Sequence, residues 1–219
     1  MQKFLKWIEK VLMPPMAKAS EQRHLTSIRD GIIATLPLII VGSFFTLFAS
    51  PPIPALEKLV EPHAEKIMIA NRMTLGLMAV YAAFSMGYSL AKSYKMDGQA
   101  GGLLSLATFL MMTLPLNLDD KLPKSDAVGY VLPMADLGGS GLFVAIISMI
   151  FAVEMMRLVV KSGFTIKMPD QVPGSVARSF ESLVPAIVII VISWFVRVIL
   201  NIDLNAIICL LYTSDAADE

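Results

Sequence analysis

The sequence predicts an all-α, polytopic transmembrane bundle of about five spans, preceded by an amphipathic helix lying at the membrane surface. Three observations carry this. Only 16% of the 219 residues are charged while 56% are apolar, against about 25% charged in ordinary soluble domains. The mean hydropathy is +0.68. Long uncharged runs recur between polar segments, one of them the twenty residues 31–50 (GIIATLPLIIVGSFFTLFAS), enough for the roughly 30 Å of a hydrocarbon core.

In Met1–Leu12, the apolar Phe4, Leu5, Ile8, Val11 and Leu12 fall on one helical stripe, with Lys3, Lys6 and Lys10 off it. That is the pattern of an interfacial helix, and Lys6, Glu9 and Lys10 break the apolar run a signal peptide needs. Residues 1–30 are thus expected to be a surface helix and a polar lead-in. The spans follow at Gly31–Ser50, Met73–Ala91, Ala100–Leu118, Leu137–Val153 and Leu183–Leu200, with Pro37 expected to kink the first. Polar connections are expected at Pro51–Arg72, Lys92–Gln99, Asp119–Ala135 and Glu154–Ser182. In the second span Ala79, Ala83, Gly87 and Ala91 recur every four residues, a small-residue face that suits close helix packing within the chain or a subunit interface. Arg197 lies near the far end of the fifth span, within reach of the headgroups.

Twelve Lys and Arg fall on the side of the N-terminus and of the second-to-third and fourth-to-fifth loops. Five fall on the other side. The positive-inside rule therefore places the N-terminus in the cytoplasm. The last of these loops carries Lys167 and Arg178, candidate contacts for a soluble partner.

Chemistry is sparse. Zero net charge excludes bulk attraction to nucleic acid, and one cysteine excludes internal disulfides. His24 and His63 are too far apart in the chain to suggest a metal centre, and no cofactor motif occurs. Gly138-Gly-Ser-Gly141 is followed by Leu-Phe, not by the Lys-Ser/Thr of a P-loop. No carboxylate sits in the middle of a span, as an ion-coupled carrier requires, and Asp136 and Glu154 read as boundary residues. The residues alone describe a multi-pass membrane protein, with a five-helix scaffold docking a soluble partner as one reading.

Three stretches point further: RHLTSIRDGIIATLPLIIVGSFF (23–45), GLFVAIISMIFAVEMMRL (141–158) and IKMPDQVPGSVARSFESLVP (166–185). Together they resemble enzyme IIC of the bacterial phosphotransferase system, in its lactose/cellobiose/diacetylchitobiose class. The resemblance implies a homodimeric permease of the cytoplasmic membrane. It would move a β-linked disaccharide inward for phosphorylation by a phosphocysteine on a cytosolic IIB partner, itself charged through IIA. Residues 31–203 would be the first half of such a protein. Its sugar site belongs to the second half, so the resemblance transfers no catalytic or sugar-contacting residue to this chain. Residues 204–219 are expected to be a tail of doubtful origin, since Cys209–Glu219 is unlike the family.

Overall fold

The structure, a computed structural model, describes residues 21–117, 129–164, 166, 169 and 173–215. The expected surface helix at Met1–Leu12 and the candidate contact Lys167 lie outside these residues. The chain is almost wholly helical. In order, α1 is Arg23–Ala49, α2 Pro54–Val60, α3 Ala64–Met73, α4 Met78–Ser93, α5 Gly98–Thr113, α6 Leu142–Lys161, α7 Gly174–Glu181, α8 Leu183–Trp194 and α9 Leu204–Asp215. Between α5 and α6, a two-residue strand β1 (Leu116–Asn117) pairs antiparallel with β2 (Tyr130–Val131), Leu116 opposite Val131.

Among the described residues, four helical segments are long and apolar enough to cross a membrane: Arg23–Ala49, Leu56–Ser93, Gly139–Lys161 and Ser179–Ile199. The third expected span becomes α5, only 16 residues long. It starts two residues ahead of the expected Ala100, where Asp97 caps it by accepting from the amides of Gln99 (2.8 Å) and Ala100 (3.1 Å). It stops early because Leu114 turns to φ 43° ahead of Pro115, a backbone that cannot continue a helix.

Two boundaries differ from expectation. The lead-in before Gly31 is already helical from Arg23. The Pro51–Arg72 connection folds as α2 and α3, separated by a short 3₁₀ turn. Pro54 opens α2 at a position where its missing donor costs nothing. The α3 helix is tied along α1 because the Asn71 amide donates to the Gly42 carbonyl (3.0 Å) and to Thr46 Oγ1 (2.8 Å).

The interior is built of small and flexible residues, and the outside of large branched and aromatic ones. Buried on α1 are Ser27, Gly31, Thr35, Gly42 and Ala49, while Ile33, Ile40, Phe44, Leu47 and Phe48 are exposed. Surfaces of soluble proteins are depleted in such patches; a helix in lipid needs them. The core centres on α4, which packs against α1, α5 and α6 through Ala79, Ala83, Met86, Phe109, Val144 and Met149.

Close approach explains the glycines. A Cβ at Gly31 would lie 2.6 Å from the Met86 amide nitrogen, and one at Gly87 would lie 2.8 Å from the Gly101 carbonyl oxygen. Ser105 Oγ adds a buried bond across the same seam, donating to the Ala83 carbonyl at 2.7 Å. Ala79, Ala83, Gly87 and Ala91 are all buried within the single chain.

Arg197 does not snorkel. It lies in a π-helical segment, Phe195–Ile199, that extends α8, and it is 8% exposed. Its Nε donates to the Met112 carbonyl (2.9 Å) and its Nη2 pairs with Asp203 Oδ2 (2.8 Å). The wider π turn rotates the guanidinium inward, onto a carbonyl left over at the C-terminal end of α5.

Candidate functional site

The polar groups gather at one end of the bundle, where α1 and α5 begin, α4 and α6 end, and α7 meets α8. The sequence delivers them there by span parity: each turn at this end follows an even number of crossings from Arg23.

Glu154, in the fourth turn of α6, is the hub. Its Oε1 accepts from the Tyr94 phenol and lies 3.0 Å from His24 Nε2, and its Oε2 accepts from Arg157 Nη1 at 2.9 Å. One carboxylate thus joins the start of α1, the end of α4 and the end of α6. Two guanidinium groups flank the Tyr94 ring, Arg157 at 4.4 Å and Arg23 at 5.2 Å from its centroid, distances suited to cation–π attraction. The His24 ring meets Tyr94 edge-on at 6.4 Å. Burial, then the hydrogen bond to and negative charge of Glu154, hold the Tyr94 phenol above its ordinary value. Tyr94 therefore stays protonated and donating across the physiological range. The sequence placed His24 and Glu154 at span boundaries but did not join them. They are 130 residues apart, and only the shared parity of their two ends could have suggested it.

Beside this hub opens a cavity of about 620 Å³ with a mixed polar and apolar lining, within the usual size range of small-molecule sites. The end of α4 contributes Tyr88, Lys92 and Lys95, and the start of α5 contributes Asp97 and Gln99. Glu181, Ser182, Met156 and Val160 also line it. Lys92 Nζ stands 5.7 Å from the Tyr88 ring centroid. Lys95 holds a positive φ of 61° in the turn that ends α4, where its amide bonds the Lys92 carbonyl (2.9 Å) and the next amide bonds that of Ala91 (3.0 Å).

The arrangement can bind and orient a charged or polyhydroxyl group. Among the described residues no three His, Cys, Asp or Glu side chains cluster as metal ligands. Of the residues singled out in the sequence, Arg178 falls on α7, next to the cavity wall in the chain. Of the small-residue row of α4, Ala83, Gly87 and Ala91 meet Gly101 and Ser105 of α5.

At the opposite end, Asp136 precedes α6 in a short 3₁₀ turn. Burial, and then the neighbouring charge of Asp203, push its carboxyl above the ordinary range.

Comparison with known proteins gives this architecture its relatives. The family model described as "Phosphotransferase system, EIIC" matches residues 29–217. The chain is 36% identical over 209 residues to the cellobiose-specific EIIC component of Geobacillus stearothermophilus, covering 92% of this chain and 46% of that protein. It is 37% identical over 202 residues to the lichenan permease IIC component of Bacillus subtilis strain 168, covering 89% and 44%. Among solved structures it superposes on the transporter ChbC, the IIC component of the N,N'-diacetylchitobiose-specific phosphotransferase system. That match has a TM-score of 0.82 and 32% identity over 96% of this chain and 51% of ChbC. The chain spans about half the length of the relatives it matches, and it belongs to the EIIC family of the phosphotransferase system.

Proposed function

We propose that this chain is the membrane-embedded first half of a sugar permease for a β-linked disaccharide of the cellobiose, diacetylchitobiose or lactose type. In this reading the Glu154 end faces the cytoplasm, in the cytoplasmic membrane of a bacterium. A phosphorylated IIB protein docks there, and the sugar itself is held by the part of the relatives that this chain does not span. Two copies of the permease would pair through this half. The observation that carries the reading is 36% identity across 92% of the chain to a cellobiose-specific EIIC component. The concentration of Lys and Arg at the Glu154 end supports the orientation, and its cavity offers a face that a soluble protein can reach. An unrelated five-helix scaffold has no comparable feature in its favour.

The docking surface includes Lys167 and Arg178, two cations of the chain between α6 and α8. With the chain in lipid nanodiscs and IIB of a cellobiose system charged with phosphate, binding weakens with added salt, as exposed charge pairs do. Reversing both residues to Glu lowers the affinity about tenfold, equivalent to ~1.4 kcal/mol. Affinity unchanged by the double reversal would remove this loop from the interface, and an absence of binding at any salt concentration would remove the docking proposal.

A further inference from the structure

Two hydroxyls deep in the bundle serve no internal bond. Thr108 of α5 and Ser148 of α6 are 2% and 1% exposed, and neither Thr108 Oγ1 nor Ser148 Oγ finds a hydrogen-bond partner among the described residues. Both line one cavity of about 160 Å³, where α5 and α6 meet the π segment that follows α8. We infer that this cavity binds a small monohydroxyl amphiphile, a phenol or cyclic alcohol whose carbon body is one six-membered ring. Such a site is separate from the cavity at the Glu154 end, and it stands whether or not the chain docks IIB.

The hydroxyls call for a polar group in the ligand. A serine or threonine within a helix commonly bonds a carbonyl three or four residues earlier. Ser193 of α8 does so, donating to the Ile189 carbonyl at 2.7 Å, and Thr113 donates to that of Phe109 at 3.1 Å. Thr108 and Ser148 have the same option and do not take it. A buried hydroxyl without a partner works against the fold, because its hydration is lost and nothing replaces it. Each can donate and accept, so a single ligand hydroxyl has a partner here in either role.

The rest of the lining sets the body of the ligand. Met112, one turn beyond Thr108, and Phe151, one turn beyond Ser148, line the cavity with Val196 and Leu204. An apolar cavity of ~150 Å³ takes up benzene, so the volume matches one ring. Water fits poorly. At ~30 Å³ each, about five waters would fill the space, and each needs two to four polar partners. Thr108, Ser148 and Ser193 supply only hydroxyls, and that of Ser193 is already committed to Ile189. A plain hydrocarbon, such as the end of an acyl chain, would leave Thr108 and Ser148 unmet. Access is from the side, since Ile147 of the same lining is 44% exposed on the outer surface of α6.

The test uses the full chain in phosphatidylcholine nanodiscs and follows para-fluorophenol by fluorine NMR, with fluorobenzene as the same body without the hydroxyl. Affinities are referred to the concentration of each probe in the bilayer, since both partition into lipid. Para-fluorophenol saturates a single site per chain, and fluorobenzene binds about tenfold more weakly. Thr108→Val keeps the shape of the side chain and removes its hydroxyl. Combined with Ser148→Ala, it brings para-fluorophenol down to the affinity of fluorobenzene. Neither substitution lowers the melting temperature of the ligand-free chain, because each removes a polar group that has no bond to lose.

Equal affinity for the two probes would overturn the proposal, as would para-fluorophenol binding that the double substitution leaves unchanged. A signal that grows without saturating would mean partition into lipid alone and would equally overturn it. Melting temperatures lowered by Thr108→Val and by Ser148→Ala, with no saturable para-fluorophenol binding, would assign both hydroxyls to buried water instead. IIB docking measured on the same variants stays at its wild-type level, so a failure at this cavity leaves the permease reading intact.

Discussion

Glu154 accepts from groups on three helices, and each bond has a different fate if its charge is removed. A glutamine at 154 keeps an oxygen for Tyr94 or His24 but loses the ion pair to Arg157 at 2.9 Å. The carboxylate is about a quarter exposed, 28%, so solvent screens part of the interaction. Glu154→Gln is expected to cost roughly 1 kcal/mol, read as a lowered melting temperature of the detergent-solubilised protein. An unchanged melting temperature would demote the hub to a set of incidental surface contacts. Asp136 works the other way. Its folded-state pKa is raised, so its contribution favours the fold fully below the ordinary carboxylate range and is lost as pH rises through the raised value. At neutral pH its half-buried charge counts against the fold. Asp136→Asn should therefore raise the melting temperature at neutral pH, with the gain shrinking as the buffer is made acidic. A gain that stays constant with pH would show that the effect is steric. None of these partnerships could be read from spacing. Asp136 and Asp203 are brought together by the folding of α6 against the segment after α8.

Among the elements, α4 and α5 depend most on having almost no side chain between them. The stripe Ala79, Ala83, Gly87 and Ala91 was legible because its four-residue spacing is a direct consequence of helical pitch. Which helix it faced was not legible, since a small-residue face has no label for its partner. The answer lay in Gly101 and Ser105, whose own spacing of four matches it from the other side. Gly87→Leu would drive a branched side chain into Ser105 and the Gly101 carbonyl. It is expected to destabilise by about 3 kcal/mol or more, measured as loss of the folded fraction on urea or dodecyl sulfate titration. A folded variant of wild-type stability would mean that the two helices separate freely. The α2–α3 segment went unrecognised for a related reason. Its charges Glu57, Lys58, Glu65 and Lys66 read as a loop beside a membrane, yet they belong to helices, and Asn71 ties the second of these to α1.

For the whole molecule, the fold class was legible because hydrocarbon thickness and helical rise leave few alternatives for uncharged runs of this length. The positions of the runs predicted four of the helical segments, and their parity predicted which ends meet. Helix ends were less legible. Arg23–Asp30 is polar yet continues the first span outward, since a helix gains nothing by unwinding at the water boundary when its next turns still have neighbours. Arg197 misled because a lone cation near a span end ordinarily reaches for headgroups, whereas the π segment gives it a carbonyl and a carboxylate to bind.

The shortness of α5 has an electrical consequence. Sixteen residues rise about 24 Å, less than the roughly 30 Å of hydrocarbon, and a cavity opens directly at its first turn. Along this helix the insulating layer is therefore thinner than a full hydrocarbon core. A membrane voltage is worth ~2.3 kcal/mol per elementary charge per 100 mV however thick the insulator, so the same drop is compressed into fewer ångströms beside α5.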